Sequence, residues 1–356
     1  MTTPPGLLRA LALAATVACS AGPPSVERTG PAGPTLTPQV SGTRNRLQAV
    51  SAVSRRVAWV SGVGGTYALT TDGGATWRAA VVPGADSLEF RDVEGVSERV
   101  AYLLAAGPGD RSRIYRTGDG GRSWSLQFTN RDTSAFYDCF AFWDGGGGFA
   151  MSDAVGGRFP VVRTLDGTGW ADIGDRLPGA QTGEGAFAAS GTCTAALGDR
   201  HGWIATGAAA RSRVLRTVDR GESWSAAATP IVQGTQTSGA ATIAFRDPLH
   251  GILAGGDIAA PNAFADNVAV TGDGGRTWTL AARTPFPGAV YGLAYVAAGD
   301  GRTVVATGPG GAAWSADEGG SWRPLEGVRD FWAVGSAEGA VGWLVGTEGR
   351  ILKLSF

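Results

Sequence analysis

The sequence contains few of the side chains that most metal and catalytic sites need. Its 356 residues include only two histidines, three cysteines, and no CxxC or HExxH motif. A zinc site needs three or four nitrogen, sulfur or carboxylate ligands at short spacings, and no such set is present. His201 and His250 follow equivalent turns, DRHGW and DPLHGI, which indicates a repeated structural position. The sequence therefore predicts neither a metal nor a cofactor.

Lysine is almost missing as well, since Lys353 is the only one, and arginine supplies nearly all the positive charge. The 30 basic residues are balanced by 31 acidic residues, which leaves a net charge of −1. A nucleic-acid-binding domain normally shows a strong and clustered basic excess. The charge balance predicts that nucleic acid is not a partner.

Residues 1–19 are arranged like a signal peptide. A basic residue, Arg9, lies near an apolar run that is too short to span a membrane, and Cys19 follows the run. TVAC resembles the lipobox of bacterial lipoproteins, which implies lipidation of Cys19; simple secretion is the alternative. Residues 20–35 are rich in Pro and Gly and cannot build a core, so they are predicted to be a flexible linker. We expect an extracytoplasmic protein, in the bacterial periplasm or at the cell surface, held by a lipid anchor.

Six copies of Ser/Thr-x-Asp-x-Gly-x-Ser/Thr-Trp dominate the rest of the chain. The Asp can accept hydrogen bonds from backbone N–H groups, Gly adopts positive φ, and Trp is a large apolar anchor. Spacings of 44 to 54 residues mark a repeat array. The third copy is one residue shorter, so its turn should differ. The repeated residues are Asp72, Asp119, Asp166, Asp219, Asp273, Asp317, Trp77, Trp124, Trp170, Trp224, Trp278 and Trp322.

This repeated Asp-Gly-Trp motif resembles the Asp-box, or BNR repeat, of β-propellers such as sialidases, sortilin-type receptors and the photosystem II assembly-factor family. In those families the box is a structural turn remote from the binding site, which implies a structural role for the six aspartates here. A sialidase would also need an early Arg-Ile-Pro-like segment. The nearest match, RFP at residues 158–160, lies in the third repeat, so the resemblance implies a fold and not sialidase chemistry.

Short alternating runs around each box, separated by Gly, Asp and Pro, predict antiparallel strands. The predicted fold is all-β: a seven-bladed β-propeller with four-stranded blades over residues 36–356, monomeric and without a second domain. The seventh unit begins at Phe331 and ends one strand short. We expect Leu36–Gly42 to complete it and close the ring, which removes exposed sheet edges. Six blades plus a partial sheet is the alternative.

Cys139 and Cys193 are 54 residues apart and occupy the same repeat position in neighbouring blades. In an oxidising compartment this spacing makes a disulfide plausible, whereas two buried free thiols would fit the same pattern. The sequence leaves these two alternatives open.

The longest connections belong to the third, fourth and fifth repeats and emerge on the face opposite the boxes. Long loops on a rigid scaffold are common binding sites. We expect their polar residues to line a ligand or partner pocket, with ordinary solvated loop charges as the alternative. The candidate binding residues are Asp153, Arg158, Glu184, Ser190, Arg211 and Asp257.

Two functions are consistent with this pattern. The first is a non-enzymatic binding or assembly scaffold for a protein or saccharide partner. The alternative is a carbohydrate-active hydrolase or lyase that uses loop carboxylates, such as Asp153 and Glu184, on either side of a glycosidic bond.

Overall fold

The computed structural model describes residues 1–2 and 33–356. The predicted signal peptide, the lipidation of Cys19 and most of the predicted linker fall on residues 3–32 and lie outside the described residues. In the part of the chain that is described, no helix has the length and hydrophobicity to cross a membrane.

Residues 33–356 are built almost entirely from strands, joined by turns and three single-turn 3-10 helices at Gly109–Arg111, Gly174–Arg176 and Thr347–Gly349. The strands, in chain order, are β1 Thr35–Val40, β2 Leu47–Ala52, β3 Ala58–Gly62, β4 Thr66–Thr70, β5 Arg78–Val81, β6 Phe90–Gly95, β7 Ala101–Ala105, β8 Arg113–Thr117, β9 Ser125–Thr129, β10 Tyr137–Phe142, β11 Gly148–Ser152, β12 Val161–Thr164, β13 Ala171–Asp172, β14 Thr194–Leu197, β15 His201–Ala205, β16 Arg213–Thr217, β17 Ser225–Ala228, β18 Ser238–Phe245, β19 Gly251–Asp257, β20 Val268–Thr271, β21 Thr279–Leu280, β22 Gly292–Val296, β23 Thr303–Gly308, β24 Gly311–Ser315, β25 Arg323–Pro324, β26 Phe331–Ala337, β27 Val341–Gly346 and β28 Arg350–Ser355.

These strands form seven antiparallel sheets of four, and each sheet is one blade of a ring. Blades one to six each contain four consecutive strands, starting at β2, β6, β10, β14, β18 and β22. Blade seven has the order β1-β28-β27-β26, with β1 pairing from Thr35 opposite Ser355 to Val40 opposite Arg350. The predicted seven-bladed fold and its closure by an N-terminal strand are confirmed, and the six-bladed alternative is wrong.

Side chains reinforce the closure between blade seven and blade one. Gln39 Oε1 accepts hydrogen bonds from Trp77 Nε1 at 2.9 Å and from Trp343 Nε1 at 3.1 Å. Lys353 Nζ donates to Gly73 O at 2.8 Å. The strand that joins the two ends of the chain is therefore anchored on both blades by polar contacts as well as by its backbone ladder.

The core lies between the blades. Trp59, Trp203 and Trp343, each on the second strand of its blade, are fully buried. Each belongs to an apolar cluster that draws residues from two adjacent blades. The indole N–H groups of Trp59 and Trp203 also find acceptors in a neighbouring blade, at Ser97 O (2.8 Å) and Gly274 O (2.9 Å). Neighbouring blades therefore supply the apolar burial that one blade cannot provide alone.

The boxes have the geometry that their residue types predict. In the first, Asp72 Oδ1 accepts from Thr76 N at 2.9 Å and Asp72 Oδ2 accepts from Thr76 Oγ1 at 2.6 Å. Thr70 Oγ1 accepts from Gly74 N at 2.8 Å. The two donations from Thr76 lower the pKa of Asp72 to about 2 because they stabilise the carboxylate. These aspartates hold turns together.

The third box differs, as its shorter spacing predicts. Asp166 Oδ1 accepts from Thr168 N at 2.8 Å and Gly169 N at 3.2 Å, two and three residues on. Thr164 Oγ1 accepts from Gly167 N, three residues on instead of four. The missing residue is absorbed inside the turn, so blade three keeps its four strands.

Candidate functional site

A pocket of about 340 Å³ opens at the centre of the ring, on the face opposite the boxes. The first strands of neighbouring blades contact one another around the ring axis, so residues at the start of these strands surround the mouth of the central channel. We call this cavity the channel-mouth pocket. Its lining residues are Arg46, Gln48, Arg91, Phe136, Asp138, Asp153, Ala186, Phe187, Ala188, Ala189, Ile258, Tyr291 and Trp332.

Buried polar atoms without partners single this pocket out. Arg46 Nε, Gln48 Oε1 and Asp138 Oδ2 are buried and make no hydrogen bond with any described residue. Two larger concavities, of about 570 and 560 Å³, lie on the box face beside Asp119 and Asp72, and none of their described lining residues has such an atom. A buried polar group without a partner is costly, so a native site that keeps three of them calls for an explanation.

β-bulges turn four side chains toward the mouth. Gln48, Arg91, Asp138 and Trp332 are each the extra residue where the register shifts between the first and second strands of blades one, two, three and seven. In blade one, Gly62 faces the bulge, and a Cβ there would lie 2.0 Å from the carbonyl oxygen of the residue that precedes the strand. Bulges redirect side chains next to binding sites, and here one bulge repeated around the ring collects residues from four blades.

The connection between blades three and four crosses the top of the channel through residues 186–192, which we call the crossing segment. On one side, Arg91 Nη1 of blade two donates to Ala188 O at 3.4 Å. On the other side, Ser190 Oγ donates to the carbonyl oxygen of Tyr291, which precedes β22 of blade six, at 2.5 Å. The crossing segment therefore spans the ring and forms one wall of the channel-mouth pocket.

Asp138 and Asp153 form a carboxyl pair in this pocket. Asp138 is only 1% exposed, and burial together with the neighbouring Asp153 raises its pKa well above the usual range. Burial also raises the pKa of Asp153 to about 6, although Ala186 N donates to its Oδ1 at 3.1 Å. The two carboxyl groups are within hydrogen-bond reach, so the pair tends to share one proton.

Arginine and aromatic side chains complete the wall. Arg91 Nη2 lies 2.8 Å from Glu89 Oε2, and Arg46 Nη2 lies 4.0 Å from the same oxygen. The Arg46 guanidinium also sits over Trp332, 5.1 Å from the ring centre, and Trp332 meets Tyr291 edge-on at 5.5 Å. The pocket thus combines an aromatic surface, two cations and a carboxyl pair.

A disulfide joins the pocket to the crossing segment. Cys139 and Cys193 are bonded, with their Cα atoms 6.0 Å apart. Cys139 directly follows Asp138 on β10, and Cys193 directly follows the last residue of the crossing segment. The bond therefore fixes one end of the crossing segment beside the carboxyl pair.

Two of the six predicted binding residues lie at this site. Asp153 lines the pocket, and Ser190 holds the crossing segment to blade six. Arg158 is instead engaged in ion pairs with Asp172 and with Asp175, the latter at 2.6 Å, beside the pairing edge of β13. Its binding role stays a prediction.

The other three predicted residues have separate partners. Glu184 is buried, and its carboxylate accepts from Arg213 Nη2 at 2.5 Å and from Thr206 Oγ1 at 2.7 Å. Arg211 is exposed, and Asp257 accepts a hydrogen bond from the backbone N–H two residues on. Glu184 and Asp153 therefore serve different hydrogen-bond sets, and the binding role of Glu184, Arg211 and Asp257 stays a prediction.

Loop length alone does not point to Gln48, Arg91, Asp138 and Trp332, because all four sit on strands. Their signal is present in the aligned repeats, where LQAV, FRDV, YDCF and FWAV each place a polar or aromatic residue second. In a regular strand, successive side chains alternate between the two faces of the sheet. The bulge instead turns the side chain of this second residue toward the channel mouth.

No protein-family model and no curated protein matches the sequence. Among solved structures, YCF48 from Cyanidioschyzon merolae aligns at 17% identity over 91% of this chain and 99% of its own, with a TM-score of 0.59. This chain is a seven-bladed β-propeller. The propeller likeness extends to U3-55K (12% identity, 90% and 98% coverage, TM-score 0.59) and to the WD40 propeller domain of Doa1 (14%, 90% and 97%, 0.55).

At these identities, 12 to 17%, the likeness concerns the fold alone. The resemblance that the Asp-boxes indicated is therefore confirmed as a propeller architecture. Within the described part of this propeller, no three His, Cys, Asp or Glu side chains come together as a metal site. The chemistry of the channel-mouth pocket must be read from its own side chains.

Proposed function

We propose that this propeller is a non-catalytic binding scaffold whose channel-mouth pocket receives a segment of a partner protein. The observation that carries the proposal is the set of three buried, unpaired polar atoms on Arg46, Gln48 and Asp138. Leaving such a group unpaired costs about 1–3 kcal/mol, which a bound ligand that supplies the missing partners would recover. Ligand sites are typically concave, largely apolar and furnished with a few such polar groups.

The size and shape of the pocket support a protein segment. A cavity of about 340 Å³ has room for one or two side chains, and it lies open on the loop face of the ring. Phe187 and Trp332 supply aromatic surface of the kind that forms anchoring contacts in protein interfaces.

The carboxylates do not favour the hydrolase alternative. Retaining glycosidases hold two carboxyl groups about 5–5.5 Å apart and inverting enzymes hold them farther apart. Asp138 and Asp153 are within hydrogen-bond reach of each other, whereas Glu184 is committed to Arg213. Neither arrangement leaves room for a sugar between an acid and a nucleophile.

We also propose that the scaffold is anchored outside the cytoplasm through Cys19. The apolar segment before Cys19 and its lipobox-like end support this location. The bond between Cys139 and Cys193 supports it too, because structural disulfides persist mainly in oxidising compartments. Labelling with a radioactive fatty acid, in the wild type and in Cys19→Ser, tests the anchor; labelling that survives the substitution contradicts it.

Site-specific photo-crosslinking tests the binding role. A photoreactive phenylalanine analogue would replace Phe187, which lines the pocket, or Leu165, which is 61% exposed in the third box on the opposite face. We expect a discrete protein adduct from Phe187 in native membranes and none from Leu165, with the adduct identified by mass spectrometry. Equal adducts at both positions, or turnover of glycans by the purified protein that Asp153→Asn abolishes, would overturn the scaffold proposal.

A further inference from the structure

We infer that the channel-mouth pocket binds a cationic group of its partner, an ammonium or a guanidinium, and that Asp138 and Asp153 are its counter-charges. The inference rests on the proposed function, since it names the chemistry of the segment that the pocket would receive. It follows from the charges, the unpaired atoms and the walls of the pocket, taken in turn.

When both carboxyl groups are ionised, the charged side chains of the pocket leave one negative charge unbalanced. Arg46 and Arg91 supply two positive charges at the rim, and Glu89 contacts both of them. Asp138 and Asp153 supply two more negative charges when both are ionised. The pocket then has a net charge of −1, and a ligand with one positive charge would neutralise it.

The unpaired atoms are mainly acceptors. Gln48 is 2% exposed and Asp138 is 1% exposed, and when the carboxyl pair is ionised their Oε1 and Oδ2 atoms have no donor among the described residues. An ammonium or guanidinium group presents three to five N–H donors and no acceptor. Such a group could satisfy both oxygens at once, and charge-assisted bonds to a carboxylate are the stronger kind.

The aromatic wall already holds a guanidinium. Arg46 stacks over Trp332 at 5.1 Å, which shows that the face of this indole can be covered by a cation in this setting. Tyr291 and Phe187 extend the aromatic surface around the mouth. A long cationic side chain could bury its methylene groups against these rings while its charged end reaches the carboxyl pair.

A neutral saccharide is the main competing ligand. It would stack on the same rings and donate hydroxyl hydrogen bonds to the same oxygens. However, it would leave the second carboxylate without a counter-charge, so the pair would have to keep its shared proton. A cation can replace the shared proton and balance both carboxylates, so the carboxyl pair favours a cation over a neutral saccharide.

Proton release follows from this chemistry. The charged groups around the pair are Arg46, Arg91 and Glu89 at the rim, and Asp92 and Glu94 farther along β6. Since the pKa of Asp153 is about 6, the pair holds a proton at pH 5 that an incoming cation must displace. We expect affinity for a cation to fall about tenfold between pH 7.5 and pH 5, because one proton is displaced per cation bound.

Calorimetric titration of the full-length chain in detergent tests the inference. The probes are N-acetyl-arginine methylamide, its uncharged citrulline analogue and methyl glucoside. We expect the arginine probe to bind at least about tenfold more tightly than the citrulline probe at pH 7.5. Titrations at pH 5 in two buffers of different ionisation enthalpy should give different heats, since Asp153 releases its proton on binding at that pH.

Single substitutions test whether Asp138 is responsible for binding the arginine probe. Asp138→Asn should reduce arginine binding to the level of the citrulline probe, whereas Asp110→Asn, at a side chain that is 75% exposed in a loop of the same face, should leave it unchanged. If Asp138→Asn does not fold, Gln48→Leu removes the other unpaired acceptor without changing charge and should also weaken binding.

Three results would overturn the inference: equal binding of the arginine and citrulline probes, tighter binding of methyl glucoside than of arginine, or no heat with the arginine probe. A crosslinked partner at Phe187 together with any of these results would leave the scaffold function in place and reject only the cation. The two proposals can therefore fail separately.

Discussion

Replacing Asp153 by asparagine should make the protein more stable at neutral pH. The carboxyl pair is buried, and at pH 7.5 the folded state must hold Asp153 ionised beside Asp138. Asparagine removes the buried charge of Asp153 but keeps an oxygen that can accept from Ala186 N. A binding site that conflicts with folding in this way is a common compromise between function and stability.

The size of the effect follows from the pKa of Asp153, which burial raises from 3.8 to about 6. Between these two values the folded state binds a proton that the unfolded state has lost, so stability falls as pH rises through this window. A shift of about two pKa units corresponds to roughly 3 kcal/mol, since each unit is worth about 1.4 kcal/mol. Asp153→Asn should therefore gain up to about 3 kcal/mol at pH 7.5 and almost nothing below pH 4.

Urea unfolding at pH 4, 5, 6 and 7.5, followed by tryptophan fluorescence, measures this difference. The matched control is Asp110→Asn, at an exposed carboxylate on the same face, which should show no pH-dependent gain. If Asp153→Asn destabilised the protein at pH 7.5, or if its effect were the same at all four pH values, the predicted cost of burying the Asp153 carboxylate would be refuted.

Three further outcomes follow from the rest of the fold. Replacing Cys139 and Cys193 by alanine should lower the free energy of unfolding in urea by about 4 kcal/mol, because the bond closes a loop of 54 residues; a loss below about 1 kcal/mol would contradict this. Deleting residues 35–40 should leave β28 as an open edge, so size-exclusion chromatography should show oligomers in place of a monomer peak. Asp72→Asn should lower the melting temperature at pH 7 but flatten the acid unfolding curve between pH 4 and 2, because the lowered pKa of Asp72 contributes stability that protonation removes.

The repeated boxes predict the position of each blade from the sequence alone. Each box combines residues whose local hydrogen bonds make a turn, and bonds such as those from Thr76 to Asp72 depend on side chains only four residues apart. The same local logic predicted the altered third box, where the bonds to Asp166 span two and three residues. Closure by the N-terminal strand followed from counting strands, since the seventh unit lacked one.

The candidate site was harder to predict because its residues are far apart in the chain. Long loops drew attention to the face opposite the boxes, and Asp153 lies in a pocket there, so its binding role stays a prediction. However, Glu184 is an equally suggestive loop carboxylate, and the fold pairs it with Arg213 inside the protein. Sequence position alone does not distinguish a buried structural ion pair from a ligand contact.

The sequence by itself determined the repeat, the blade boundaries and the ring, because these depend on short-range turn chemistry and on the alternation of strands. Only the tertiary structure decided the site. The bulges that turn Gln48, Arg91, Asp138 and Trp332 inward arise from pairing between strands, and the crossing segment meets blades that are distant in the chain. The unusual carboxyl pair exists only because folding places the half-buried Asp153 beside the buried Asp138.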